Sequence, residues 1–307
     1  MKKIINLKHS MKKDISLFLF IIYILHLTFM IFVNNKTVIT DSKIFRYVYM
    51  FRIYSWILSF PIIYYFVKTY KKYEYFKTNE KFNIKDFNTY FALAFYVGNL
   101  SNLLIVSMFK FKGRTSLINE PLYIDVIMTV FVAPILEEIV FRGVIMNNLR
   151  KYGIRVAIII NSLLFGLSHY NVEMIIPAFL TGIIFSYVAC KYSIKYSILI
   201  HFLLNTITQI LQVIILSKIE MSIVVFGLFL LFLIIFLLIF FIIGLAKGRY
   251  KEIFFVLKLN VEDKKKLAEF VKNNFLYLLI IFAIVVSNFF FNYKIFWLIS
   301  NLTKYLN

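Results

Sequence analysis

From Met221 to Ala246 the chain runs without one Asp, Glu, Lys, Arg or His. Crossing about 30 Å of hydrocarbon as a helix takes roughly 17 to 25 residues. Inside a bilayer a segment must satisfy its own backbone N–H and C=O groups, so an isolated run of this kind is confined to a helix. Comparable uncharged runs cover Ile15 to Val33, Phe87 to Phe109, Tyr196 to Ser217 and Asn273 to Tyr293. Shorter or interrupted ones cover Ile44 to Val67, Leu122 to Met146, Val156 to Val172 and Met174 to Cys190. The expected fold is an all-α, polytopic transmembrane bundle of eight to nine membrane helices. Its second helix, with Arg46 and Arg52 in the first half, enters along the interface and dives at Pro61. Composition agrees: 61% of the residues are hydrophobic and only 16% charged, against about 25% charged in soluble chains.

The formal net charge of +20, from 35 Lys and Arg against 15 Asp and Glu, would suggest nucleic acid in a soluble protein. Alternating the nine candidate spans from a cytoplasmic amino terminus puts 24 of the basic residues in inside segments and 7 in outside ones. That is the bias expected when Lys and Arg are retained on the inner face. Orientation thus accounts for most of the surplus, and no nucleic-acid partner is expected. The first span follows five lysines, but its apolar stretch is long and no small-residue cleavage site comes after it, so it reads as a retained anchor. Cys190 is the one cysteine, which excludes a disulfide framework and a cysteine-based metal cluster. The loop from Lys247 to Lys272 suits either a short helix on an anionic leaflet or a solvated loop.

Polar residues interrupt three of the apolar segments. Glu137, Glu138 and Arg142 lie inside the Leu122 to Met146 run, where each uncompensated charge would cost about 2.5 to 3.5 kcal/mol. Glu138 and Arg142 are four apart and can pair on one helix face, whereas Glu137 is turned away by about 100°. An architectural ion pair would explain Glu138 and Arg142 and leave Glu137 without a role. Further along stand Phe165 and His169, then His201 and Asn205, each pair also four apart. Taken singly, such residues serve as interhelical contacts. Together, a spare carboxylate, two imidazoles and an amide are the parts that activate water and stabilise an oxyanion. His9 and His26 have no motif partner; Asp125 and Glu173 fall at helix ends; Trp56 and Trp297 read as interface anchors.

The ordered set Glu-Glu-x-x-x-Arg at Glu137 to Arg142, Phe-x-x-x-His at Phe165 to His169 and His-x-x-x-Asn at His201 to Asn205 resembles the CAAX protease and bacteriocin-processing family of intramembrane endopeptidases. The resemblance covers roughly Leu122 to Ser217. It divides the chain into amino-terminal helices over 1–121, a core over 122–217 and carboxyl-terminal helices over 218–307. It implies that Glu137 activates the attacking water, that His169 and His201 position that water or bind a metal, and that Asn205 stabilises the oxyanion. Glu138 and Arg142 would be a supporting pair, with Phe165 beside His169. Glu137, His169 and His201 match the ligand set of a catalytic zinc with an open position, yet the His-Glu-x-x-His helix of common zinc proteases is absent. The resemblance leaves both metal-dependent and metal-free chemistry open.

The expected activity is hydrolysis of a peptide bond in a membrane-associated peptide or protein, as CAAX-type processing, bacteriocin or peptide maturation, or self-immunity. The Lys-, Ile-, Asn- and Phe-rich composition points to a bacterial plasma membrane. A non-catalytic immunity or sensor-binding partner is the rival, distinguished by survival of its role without Glu137, His169 and His201. A proton-coupled transporter lacks support, because no repeated half or matching pair of broken helices is visible.

Overall fold

The computed structural model describes residues 20, 21, 24, 64–69, 77–109, 126–169, 172–217 and 220–293, and within these the side chains except at 109, 128, 172, 211–217, 220–226 and 288–293. Most of the predicted span Ile15 to Val33, the first part of Ile44 to Val67, and His9, His26, Trp56, Asp125 and Trp297 fall outside them.

Among the described residues every element is a helix. α1 spans Ile84–Phe109. Its start is fixed by Asn83, whose side chain accepts from the Asp86 N–H at 3.0 Å and satisfies one of the helix's free amino-terminal donors. α2 occupies residues 127–149 in one continuous run of changing winding. Ile127–Val132 is wound in π turns, Ala133–Glu138 is α-helical, Ile139–Ile145 is again π, and Met146–Leu149 is a final α turn. A 3-10 turn, Arg150–Tyr152, follows. Gly153, at φ 96°, takes the backbone through a region that a side chain disfavours and opens α3, Ile154–Leu167.

α4, Val172–Lys191, returns against α3. The two approach closely because Gly166 has no side chain: a Cβ there would sit 2.7 Å from the Ile175 carbonyl oxygen. Small residues at such crossings let membrane helices gain backbone-to-backbone dispersion contact. Pro177 sits inside α4 and cannot donate to Glu173 O, and Asn102 Nδ2 of α1 donates there at 3.4 Å. α5 is Ile194–Ser217 and α6 is Glu220–Ala246. Much of α6 is exposed, including Leu228 at 64% and Phe232 at 67%, a surface suited to lipid rather than water.

By length and composition, Ile84–Met108, Glu173–Lys191 and Gly227–Ala246 can each cross a membrane. A fourth candidate joins α8, Val261–Asn273, to α9, Phe275–Tyr293; over Val261–Asn273 and Phe275–Ser287 it is bent by 77°. The described residues thus give three to four candidate spans where eight to nine helices were expected. The predicted span Val156 to Val172 needs correction: α3 is a 14-residue helix, about 21 Å long at 1.5 Å per residue. It stops at Leu167 because Ser168 turns its hydroxyl back onto the Phe165 carbonyl at 2.7 Å.

At one end of the bundle the helix termini are tied together. Gly248, at φ 62°, turns the chain from α6 into the short α7, Lys251–Leu257. Glu252 of α7 bonds Lys191 at the end of α4 at 2.6 Å. Arg249 bonds Asp86 in the first turn of α1 at 3.1 Å, and Arg155 in the first turn of α3 bonds Asp263 of α8 at 3.0 Å. The Asn79 N–H donates to Tyr192 O at 2.7 Å. These bonds bring the described segments around residues 79–86, 155, 191–192 and 249–263 to one end of the structure.

Candidate active site

The polar residues of α2 and α5 meet in the interior. Pro134 and Glu138 are buried along the short α stretch of α2, and the π turn beyond it buries Arg142. Glu138 has no exposed surface, and its carboxylate binds three donors. Arg142 Nη1 donates to Oε1 at 2.9 Å, Ser197 Oγ donates to Oε2 at 2.5 Å, and His201 Nδ1 lies 3.0 Å from Oε1. Desolvating a carboxylate so fully is tolerable because a guanidinium and two further hydrogen bonds replace water.

Arg142 is held on three sides. Its Nη2 donates to Gly182 O of α4 at 3.1 Å, an approach helped by the missing side chain at Gly182. Its guanidinium carbon stands 4.4 Å from the centroid of Phe165, within cation–π range. The same Phe165 ring meets His169 edge-on at 4.9 Å and His201 edge-on at 5.9 Å between centroids. Phe165 is thus the wedge that joins the three motifs.

The orientation of His201 follows from these contacts. Its ring stacks on Phe185 at 4.9 Å with 23° between planes. Facing a carboxylate, Nδ1 carries a proton, and the neutral form of the ring keeps its lone pair on Nε2. That Nε2 lies 3.8 Å from Glu137 Oε2. Glu137 is only half-buried, so the two adjacent glutamates separate into a buried structural acid and a partly accessible one. His169 Nδ1 is 2.9 Å from Phe165 O, which accepts, so its Nε2 is also left as the acceptor. Asn205 Nδ2 donates one proton to Thr129 O, in the first π stretch, at 2.9 Å.

Glu137, Glu138, Arg142 and His201 are therefore brought into direct contact; Phe165 links His169 to them; and Asn205 braces α5 against α2. Sequence reasoning did not include Ser197, Phe185, Gly182 or the Thr129 carbonyl. Ser197 had a readable signal, since Ser197, His201 and Asn205 recur every four residues on one face of α5. The donors do not fit a metal site: among the described residues no three His, Cys, Asp or Glu side chains converge closely enough to hold an ion.

Residues 119–207, which include all seven of the motif residues, match the family model described as type II CAAX prenyl endopeptidase, Rce1-like. Over this segment the chain is similar to the CAAX protease family. A protein of Mycoplasma capricolum subsp. capricolum, described as uncharacterized, is 33% identical to it over 160 residues. That alignment covers 44% of this chain and 46% of the relative, so the chain spans about half the length of the protein it matches. No solved structure matches. Outside the matched segment, α1 and α6 are long and apolar enough to cross a membrane, as expected of a multi-pass membrane protein.

Proposed function

We propose that the chain is an intramembrane endopeptidase that hydrolyses a peptide bond in a membrane-associated peptide or protein, with Glu137 activating water. The observation that carries this reading is the 3.8 Å separation between Glu137 Oε2 and His201 Nε2. Both atoms are acceptors when Glu137 is a carboxylate and the His201 imidazole is neutral with its proton on Nδ1. One water can bridge two such acceptors by donating a hydrogen to each. Its oxygen lone pairs then point away from both, toward an incoming carbonyl carbon.

In this mechanism the water oxygen bonds to the carbonyl carbon while its proton passes to Glu137. The carbonyl becomes an oxyanion, and the second N–H of Asn205, not the one given to Thr129, is the donor for it. Glu137 returns the proton to the amide nitrogen as the C–N bond breaks. Glu138 is a positioning residue: it holds the His201 tautomer, and Arg142 and Ser197 in turn hold Glu138. No step is routed through a metal, because the donors do not form a set of ligands for one. His169, linked through Phe165, supplies a second Nε2 acceptor for the substrate or water.

The test compares membrane and secreted peptide termini from cells carrying wild-type protein, Glu137→Gln protein or no protein. Termini that require Glu137 establish proteolysis and identify the substrate. Identical termini in all three samples, with a deletion phenotype that Glu137→Gln protein rescues, would sink the enzyme reading in favour of a binding role.

A further inference from the structure

The α7–α8 segment carries a surface that the hydrolytic site does not use. Ile253 faces inward at 6% exposure, while Phe254 and Phe255 next to it are 65% and 60% exposed and Val261 is 71% exposed. Large apolar side chains this open need a partner that excludes water. Cations flank them: Lys251 and Lys258 bracket the phenylalanines, and Lys264, Lys265 and Lys272 lie on α8.

α8 is built to show those lysines outward. At 100° per residue, Phe270, Asp263 and Leu267 share one face. Phe270 is buried against Tyr152, with ring centroids 5.3 Å apart, and Asp263 is bound to Arg155. Val261, Lys265 and Lys272 fall on the opposite face, with Lys264 beside them. Of the acids that could offset this charge, Glu262 is engaged with Lys266 at 2.6 Å, Glu252 with Lys191, Asp263 with Arg155, and exposed Glu269, one turn from Lys265 and Lys272, accepts from Asn273 Nδ2 at 3.4 Å. A capping box, with Asn260 and Asp263 bonded reciprocally, fixes the helix start and hence this register.

Position selects the partner. α7 follows directly on the candidate span Gly227–Ala246, bonds the end of the candidate span Glu173–Lys191, and leads through α8 to the apolar α9. A segment held at the ends of spanning helices lies at the bilayer boundary, where phenylalanine enters the acyl edge and lysine meets headgroup phosphate. Phe255 already carries the Arg155 guanidinium over its ring at 4.2 Å. We infer that α7 and α8 form an anionic-lipid-binding surface, with Phe254 in the acyl boundary, Phe255 at its polar edge, and Lys258, Lys264 and Lys265 on headgroup phosphates. The inference is independent of whether the chain cleaves peptides.

The test uses the full chain with Cys190→Ser, spin-labelled at Phe254→Cys or, as a control, at Lys264→Cys. It is reconstituted in phosphatidylcholine discs with or without phosphatidylglycerol. In phosphatidylglycerol discs the ratio of oxygen to nickel-chelate collision rates should be at least about threefold higher at 254 than at 264. The thermal midpoint of wild-type protein should rise with phosphatidylglycerol content. That rise should shrink at 1 M salt, roughly where the screening length falls to about 3 Å, and in the Lys258→Gln, Lys264→Gln, Lys265→Gln triple variant. The matching Lys→Arg triple variant should keep it. Equal nickel access at both labels, or a wild-type midpoint indifferent to phosphatidylglycerol, overturns the inference; should the Gln variant not fold, these two readouts still decide it.

Discussion

Replacing Arg142 by Met keeps an unbranched stem but removes the 2.9 Å bond to Glu138, the 3.1 Å bond to Gly182 O and the guanidinium over Phe165. Glu138 stays fully buried with only Ser197 and His201 to hold its charge. Breaking a buried pair from one side costs about 3–5 kcal/mol, mostly from the charge left behind. In a Glu138→Gln background the group left behind is neutral, so Arg142→Met should cost no more than about 1–2 kcal/mol for the lost hydrogen bond to Gly182 O and the cation–π contact. A double-mutant cycle should therefore return a coupling of about 1–4 kcal/mol. Reversible unfolding of the four proteins in mixed micelles, followed by circular dichroism, measures it. A coupling below about 0.5 kcal/mol would refute the premise that the two charges hold each other in the interior.

Three smaller expectations accompany this one. Ser197→Ala removes a hydrogen bond to a buried carboxylate and should destabilise the fold by about 1.5–3 kcal/mol; the same variant should also shift the pH profile of hydrolysis, because the carboxylate that fixes His201 is then held by Arg142 without the Ser197 hydroxyl, and an unchanged profile would deny Ser197 its positioning role. Gly166→Ala drives a methyl to 2.7 Å from Ile175 O and 3.1 Å from Phe179 N, both backbone atoms, so α3 and α4 must separate at a cost of about 1–3 kcal/mol, seen as a lowered thermal midpoint. Glu252 has its carboxyl held below the usual range by the Lys191 ammonium and then by the Tyr187 hydroxyl. A depressed folded-state pKa contributes stability above the unfolded value and loses it as pH falls through the folded one. With Glu252 well exposed, the contribution is below about 1 kcal/mol, and Glu252→Gln should flatten the acid limb of the stability curve by that amount.

The helical period made the Glu138–Arg142 pair readable from spacing alone, because residues four apart share a face whatever the rest of the chain does. It also separated Glu137 from Glu138. What spacing could not supply was the partner across the bundle: that His201 reaches Glu138 through Nδ1 and Glu137 through Nε2 depends on how α2 and α5 cross. The Thr129 carbonyl that binds Asn205 is a backbone group, so no residue type advertises it. The π turns of α2 were equally hidden, since Ile127–Val132 and Ile139–Ile145 have the apolar composition of any membrane helix and differ only in hydrogen-bond register. The length of α3 was misjudged for a different reason. The predicted span runs on to Val172, yet Ser168, His169, Tyr170 and Asn171 break the apolar run at Leu167, and the bonds of Ser168 and His169 to Phe165 O end the helix there.

That early end has a consequence for hydrolysis in a membrane. A helix of about 21 Å set in about 30 Å of hydrocarbon leaves a deficit of about 9 Å. Bilayers answer a short element by thinning locally, and polar groups near its end draw water inward. His169 lies two residues beyond Leu167, at one of the two ends of α3 where such thinning would act. Hydrophobic mismatch at one short helix would thus deliver the second reactant of the proposed reaction, water, to a depth where lipid would otherwise exclude it.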